Sequence, residues 1–421
     1  MSAEHPGSGR RHRALVIGGS IGGLFAAHFL KRAGWDAVIY ERSAGDLADR
    51  GAGLGITEEL FAMMRRAGLK ISRSLAFHVH SSIWLTQTGE IGCETSRAWH
   101  SSAWAIIYKP LRAAFASEDY RTGMTLERVE EDAAGVIAHF ADGTEERGDL
   151  LIAADGVYST IRRHFLPEIE PHAAGYIAWR GLVDEKDLPE GARELLFDRS
   201  AFSLPEGELT VSLPVPGPGN DMRPGHRRYY FIWYRPADAA RRAALFTDAS
   251  GRSHGLTIPP PLIRPEFIAE MKEAACRGLP PILGEIVART PQPLLQSITD
   301  MEAPRMVFGR VALLGDSAFI ARPHVAAGAT KAALDAAGLA DALEAAPGDI
   351  EAGLARYERE RLAFGRAIVA HSRHLGAYLE AQLKDPALRS AAETARDPET
   401  VIAEYGAPHL VHGVDPSRLD D

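Results

Sequence analysis

Cysteine is nearly absent from this chain of 421 residues: only Cys93 and Cys276 are present, without a ligand-like spacing. That speaks against a disulfide framework or a thiolate metal site and fits a reducing cytoplasm. Long apolar runs are also missing. No segment reaches the roughly 18 uninterrupted apolar residues of a spanning helix, so no membrane partner is expected. Excess positive charge is lacking as well, and a formal net charge of −9 argues against nucleic acid as a principal partner. What remains, 46% hydrophobic and 24% charged residues, is an ordinary globular composition on a chain long enough for two sizeable domains. Arg10, Arg11 and Arg13 precede an apolar run as in a secretory signal, but glycines and His28 interrupt that run and no small-residue cleavage site follows.

That same run carries the most information. Arg13-Ala14-Leu15-Val16-Ile17 reads as a buried strand, Gly18-Gly19-Ser20-Ile21-Gly22-Gly23 as a turn opening a helix, and Ala37-Val38-Ile39-Tyr40-Glu41 as a second strand ending in an acid. Free N–H groups and a positive dipole end make a helix N-terminus a phosphate site, and glycines let a pyrophosphate approach. Glu41 lies near the usual offset for an acid that accepts hydrogen bonds from a ribose. The pattern is that of a dinucleotide-binding βαβ unit, with Ser20 where a middle glycine is usual. Two further apolar strands end in an acid beside a glycine, at Asp155-Gly156 and Gly315-Asp316. Ligands gather at the carboxyl ends of parallel strands, so the three ends predict one shared site.

The segment 171–290 has a different texture. Aromatic strands such as Tyr176–Val183 and Arg228–Tyr234, separated by the breaker run Pro214–Asn220, predict an inserted antiparallel sheet. The expected fold class is α/β: a Rossmann-like, discontinuous cofactor domain (13–75, 101–170, 291–345), a β-rich substrate domain (76–100, 171–290) and a C-terminal helical region (346–407), with flexible termini at 1–12 and 408–421. The helices of about 350–385 either pair protomers into a homodimer or cover the sheet.

The three strand-end motifs, in this order and followed by Arg322-Pro323-His324 and a small-residue run through Gly328, Ala329 and Thr330, resemble the class A FAD-dependent aromatic hydroxylases, the para-hydroxybenzoate hydroxylase family. The run after Arg322 is similar to the 2,6-dihydroxypyridine hydroxylase-like branch. The resemblance spans roughly residues 13–345. It implies non-covalent FAD, with Gly18, Ser20, Ile21, Gly22 and Gly23 at the diphosphate, Glu41 at the ribose, and Arg42 near the adenine or diphosphate. Asp155 matches a motif serving both FAD and the nicotinamide, with Arg162 the basic residue expected after it. Asp316 matches the acid that holds the ribityl chain, and Pro323, Gly328, Ala329 and Thr330 match the loop and helix beside the isoalloxazine. The helix opening at Gly328 would aim N–H groups at negative charge on a reduced flavin.

The chain departs from the family at several points. Phe319 stands where histidine is frequent, Ala326 where glycine is frequent, and Lys109 where a flavin-contacting arginine is common, with Arg112 one turn later as a substitute lacking nothing of the planar fork. The implied activity is a single-component monooxygenase. NADH or NADPH serves as transient reductant, and one atom of O2 reaches an aromatic or N-heteroaromatic small molecule through a flavin hydroperoxide. Arg180 and His324 are the catalytic candidates on the substrate side, and Tyr176, Tyr230, His78 and His80 are further candidates for lining the site. Trp179 and Tyr230 read first as sheet packing. His78-Val79-His80 has a metal-like spacing but no third ligand, so no metal is expected. The alternatives are a reductase or halogenase on the same scaffold, although the Trp-x-Trp-x-Ile-Pro run of such halogenases is absent. A classical NAD dehydrogenase would leave Gly315-Asp316 unexplained, and a non-catalytic flavoprotein is separated from an enzyme only by measuring flavin reduction.

Overall fold

The computed structural model describes residues 11–47, 53–71, 75–96, 99–385, 389, 392 and 396–406. The termini expected to be flexible, 1–12 and 408–421, lie outside the described residues apart from residues 11 and 12.

Four apolar residues after Arg13 make a strand buried on both faces, as a covered parallel sheet requires. Arg13–Ile17 pairs in parallel with Asp36–Glu41 on one side and Leu150–Ala153 on the other. The six-stranded order is Val307–Phe308, Val311–Leu313, Leu150–Ala153, Arg13–Ile17, Asp36–Glu41, Tyr120–Thr122, parallel except for the first hairpin. Register places Leu313 opposite Ala153 and Ala153 opposite Ile17, so the three strand ends read in the sequence stand side by side. The helix Ile21–Arg32 follows the first strand and carries Lys31 and Arg32 in its last turn, where cations complement the dipole. It packs lengthwise against Gly328–Glu344. An antiparallel meander, Leu126–Asp132, Gly135–Phe140 and Glu145–Gly148, carries the chain back to the sheet and packs the Phe140 ring, tilted, against Tyr40.

The second sheet is largely antiparallel. Its path is Thr257–Ile258, Leu294–Glu302, His172–Asp184, Arg228–Pro236, Leu209–Val215, Arg199–Ser203, Ser81–Leu85, Ile91–Thr95, and only Arg199–Ser203 with Ser81–Leu85 is parallel. Strand alternation sorts its side chains. Ile177, Trp179, Tyr229, Phe231 and Trp233 join a core with the helices Pro265–Gly278 and Pro281–Arg289, whereas Tyr176, Ala178, Tyr230 and Tyr234 join a cluster on the opposite face. Arg180 and Ile232 share that second face by the same period. Leu294–Glu302, expected within the cofactor domain, pairs along His172–Asp184 instead, so the inserted sheet runs on to about residue 302 rather than stopping at 290. Trp99–Ala103 forms a small separate sheet with Gly53–Ile56 and Phe77–Val79.

The C-terminal helical region is dominated by one 32-residue helix, Ile350–Ala381, which bridges the two sheets. Its Tyr357 hydroxyl donates to Leu313 O at 2.8 Å, Glu358 accepts from the N–H of Met306 at 2.7 Å, and Arg373 reaches Asp300 at 2.7 Å. Among the described residues no helix is long and apolar enough to cross a membrane.

Candidate active site

Two adjoining cavities, of about 340 and 420 Å³, open over the three strand ends and share Ser20, Trp104, Ala154 and Gly156 in their walls. The smaller one is built by the first βαβ unit. Gly18 has φ +105° there, and a Cβ would collide with the Ala154 carbonyl, so the close crossing of the two strand ends demands glycine. Glu41 is buried and accepts from the N–H groups of Gly19 and Ser43, each at 2.8 Å. Its carboxylate therefore ties the second strand end to the glycine turn, at the wall where an adenosine ribose would sit. Arg42 is exposed at the mouth of the same cavity. Asp155 lines it too: Oδ2 accepts from Thr160 N–H at 2.8 Å, and burial pushes its carboxyl up against the opposing hydrogen bonds of Ser159 and Ile161. Arg162 is buried and donates to Val157 O at 2.7 Å and Ser317 O at 3.3 Å, so it pins two strand-end loops together and takes no place in either wall.

Two helix N-termini face the larger cavity. Ser20 caps the first helix without a side-chain bond to it, which leaves its hydroxyl and the first-turn N–H groups available, and Ile21 and Gly22 line the wall. The helix Gly328–Glu344 begins after Ala327 with no side-chain cap, and Gly328 and Ala329 also line this cavity, with Pro323 and Asp316. Thr330 is turned away, buried, with its hydroxyl 3.2 Å from that of Thr57. Ala326 takes the left-handed conformation at φ +48°, the position where the family resemblance leads one to expect glycine. An N-terminal glycine turn, an acid at the second strand end and a second free helix start together match the parts of FAD: diphosphate, ribose and a ring that gains negative charge on reduction.

The remaining walls of the larger cavity come from the inserted sheet and the C-terminal segment. Arg180, Tyr230, Val211, Leu213 and Ile232 stand on one face of that sheet, Gln296 lies beside them, and Tyr405 closes the end. The Arg180 Nε is shut off from solvent without a hydrogen-bond partner, and among the described residues no carboxylate forms an ion pair with it. Its polar neighbours are phenols. Burial raises the hydroxyls of Tyr230, Tyr234 and Tyr405, Tyr234 to about 12, so they stay neutral and supply no counter-charge.

The structure corrects several expectations. His324 lies behind the wall rather than in it, completely buried, its ring packed 4.4 Å from that of Tyr234 and its Nε2 hydrogen-bonded to the Tyr176 hydroxyl at 2.7 Å. Burial first, then the nearby Arg322 and Arg180 charges, lower it to about 3. A neutral imidazole so placed is a core group and not a substrate contact. Tyr176 goes with it. Lys109 is exposed on the helix Trp104–Ala113 and lines neither cavity. Arg112 sits 4.1 Å over the Tyr120 ring, whose hydroxyl donates to Gly19 O, so it acts on the glycine turn from behind. The helix instead presents Trp104, at its N-terminus, to both cavities. Trp179 is core, as its position on the strand requires, while Tyr230 does face the cavity. His78 is exposed, 3.3 Å from His100, His80 is exposed as well, and no metal-binding group of three is found among the described residues.

Sequence reasoning missed Arg322, Lys331, Trp104 and Tyr405. Arg322 is buried and fixed by Asp300 at 2.7 Å and Glu380 at 2.8 Å, an arrangement that depends on three distant segments. Lys331 was visible only as one lysine in an alanine-rich helix start.

Comparisons with known proteins identify the family. Two family models match, one described as an FAD binding domain over residues 273–372 and one as FAD binding domain-like over residues 173–300. The 2,6-dihydroxypyridine 3-monooxygenase of Paenarthrobacter nicotinovorans is 30% identical over 370 residues, covering 87% of this chain and 91% of the relative. An FAD-dependent urate hydroxylase of Klebsiella pneumoniae is 30% identical over 385 residues, covering 86% and 88%. The solved structure of 2,6-dihydroxypyridine-3-hydroxylase from Arthrobacter nicotinovorans superposes with a TM-score of 0.83 at 29% identity, over 90% of this chain and 96% of that one. With the strand ends, both helix starts and the walled cavity in place, the chain belongs to the class A FAD-dependent aromatic hydroxylases.

Proposed function

We propose that the protein is a single-component monooxygenase that hydroxylates a small hydroxylated N-heteroaromatic ring, bound as its anion, with NADH or NADPH as reductant. The balance is ring–H + NAD(P)H + H⁺ + O2 giving ring–OH + NAD(P)⁺ + H2O. Bound FAD would supply the redox chemistry, accepting two electrons from the nicotinamide and activating O2 for transfer of one oxygen atom. The protein supplies position, dryness and charge. Gly18, Ser20, Ile21, Gly22, Glu41 and Asp316 would hold the cofactor, and the free N–H groups from Gly328 onward would favour negative charge on its ring.

Arg180 carries the substrate reading. A guanidinium whose neighbours on the inserted sheet are neutral phenols and aliphatic side chains calls for an anionic ligand, and a ring oxygen held as an oxyanion makes the ring a better nucleophile toward an electrophilic oxygen. Tyr230 and Gln296 offer neutral hydrogen bonds beside it, and Val211, Leu213 and Ile232 exclude water. The relatives named above, which act on a dihydroxypyridine and on urate, support a nitrogen-containing ring with acidic oxygens. The two unpaired cysteines suit a reducing cytoplasm.

The test is a visible spectrum of the purified protein, followed by NAD(P)H oxidation and oxygen uptake against phenols and hydroxypyridines, with product mass. A colourless protein that takes up no added FAD overturns the reading. Size-exclusion chromatography of the same preparation distinguishes a monomer from a homodimer.

A further inference from the structure

Lys331 is the most deeply buried cation at the cofactor cavity. It is 1% exposed, stands on the first turn of the helix Gly328–Glu344, and borders the larger cavity. Its Nζ lies 3.5 Å from Asp316 Oδ1 and 3.9 Å from Asp335 Oδ2, and makes no hydrogen bond. Both acids are engaged elsewhere or turned outward. Asp335 accepts from Arg361 Nε at 2.9 Å and from Gly315 N–H at 3.2 Å, while the Asp316 side chain is 46% exposed and lines the cavity. An ammonium has three donors, and a buried one without hydrogen bonds is unfavourable enough that such groups are nearly always satisfied. The cavity that Lys331 borders is where an incoming ligand could supply the missing acceptors.

The surroundings say which part of the ligand that is. Leu314 and Ala332, next to Gly315 and Lys331 in the chain, abut the first turn of the first helix: a Cβ at Gly22 would lie 3.1 Å from the Leu314 side chain and 3.3 Å from Ala332. That turn offers the N–H groups that suit a phosphate. The other cations of the two cavities are placed differently. Arg322 is consumed by Asp300 and Glu380, Arg180 stands on the inserted sheet, and Arg42 is exposed at the far mouth.

We propose that Lys331 is a cofactor-binding residue whose ammonium holds diphosphate oxygens of FAD where the two helix N-termini converge, beside Asp316. The proposal rests on the FAD reading above and adds a buried counter-charge that the glycine turn lacks. Because the amine is buried, added salt screens its attraction little.

The experiment titrates the flavin-stripped full-length chain with FAD, ADP and riboflavin, using wild type, Lys331→Met and Lys331→Arg, with thermal melts of each apoprotein to verify folding. Loss of a charge-assisted bond predicts that Lys331→Met binds FAD and ADP about tenfold or more weakly while riboflavin, which has no diphosphate, is unaffected. Lys331→Arg, which keeps the charge, should recover part of the loss. If Lys331→Met does not fold, Lys331→Gln takes its place in the same titrations. Unchanged ADP affinity overturns the proposal, as does an equal loss for FAD and riboflavin, which would put the amine against the ring or ribityl chain. Wild type that binds neither FAD nor ADP refutes the cofactor reading itself and is distinguishable from either outcome.

Discussion

Replacing Arg180 by methionine should move binding and stability in opposite directions. Methionine keeps much of the side-chain length and loses the charge. In the folded protein the guanidinium has no carboxylate partner among the described residues, its Nε lacks an acceptor, and the phenols around it are neutral. Holding such a charge away from water costs several kcal/mol in a dry interior, but the cavity mouth lets water reach part of the group, so removing it should stabilise the ligand-free enzyme by about 1 kcal/mol. Substrate binding should weaken. Each charge-assisted hydrogen bond to a ring oxyanion contributes roughly 1.5–3 kcal/mol, which converts to a ten- to hundredfold rise in Kd at about 1.4 kcal/mol per decade. The assay is perturbation of flavin absorbance on titration with the tightest-binding hydroxypyridine of the panel, beside an analogue lacking the acidic oxygen, and a thermal melt of the same samples. The analogue should lose little. An unchanged Kd for the hydroxypyridine, or a fall in Tm of many degrees, would refute the assignment of Arg180 as an unpaired cation awaiting an anion.

Three other outcomes follow from the geometry. Asp316→Ala should lose FAD affinity tenfold or more without unfolding, from the roughly 1.5–3 kcal/mol of one charge-assisted bond, and equilibrium dialysis that finds an unchanged dissociation constant would show the motif to be misread. His324 sits at about 3 in the folded chain against an ordinary 6.5, so its neutral form is stabilising above 6.5 and the unfolded chain gains a proton that the folded one refuses as pH falls toward 3. Urea midpoints of wild type should therefore drop more steeply between pH 7 and 4 than those of His324→Asn, and parallel slopes would count against the buried neutral imidazole. Asp300→Ala leaves buried Arg322 with Glu380 alone, and breaking such a pair should destabilise by about 3–5 kcal/mol and loosen the Pro323 loop; a Tm and FAD affinity both equal to wild type would contradict the role given to that pair.

Local order in the chain was enough to locate the cavity over the strand ends and the residues that build that part of its walls. A strand, a glycine turn and a helix start are built from neighbours, so Gly18, Ser20, Gly22 and Glu41 could be named from spacing, and three acid-bearing strand ends implied one cleft before any pairing was known. Even the sorting of Trp179 from Arg180 follows from a period of two once the strand is recognised. Where spacing was carried one residue too far it failed: His324 follows Pro323 in the motif, but in the 3-10 turn Pro323–Val325 each side chain is rotated about 120° from the one before, and His324 goes into the tyrosine cluster while Pro323 and Val325 line the cavity. Lys109 failed for a similar reason, since the helix Trp104–Ala113 meets the cleft with its first residue and leaves position 109 in solvent.

By itself the sequence determined the fold class, the dinucleotide turn and the family, because each depends on contacts within a few dozen residues or on a motif in linear order. Only the tertiary structure decided which charges are spent and which are free. Arg322 is held by hydrogen bonds to Asp300 and Glu380, 22 and 58 positions away, whereas Lys331 has two carboxylates nearby but no hydrogen bond, and Arg180 has no carboxylate partner among the described residues. Whether a buried cation is a structural partner or a ligand site depends on the carboxylates that folding brings within hydrogen-bond reach, and the linear order of a chain does not contain that distance.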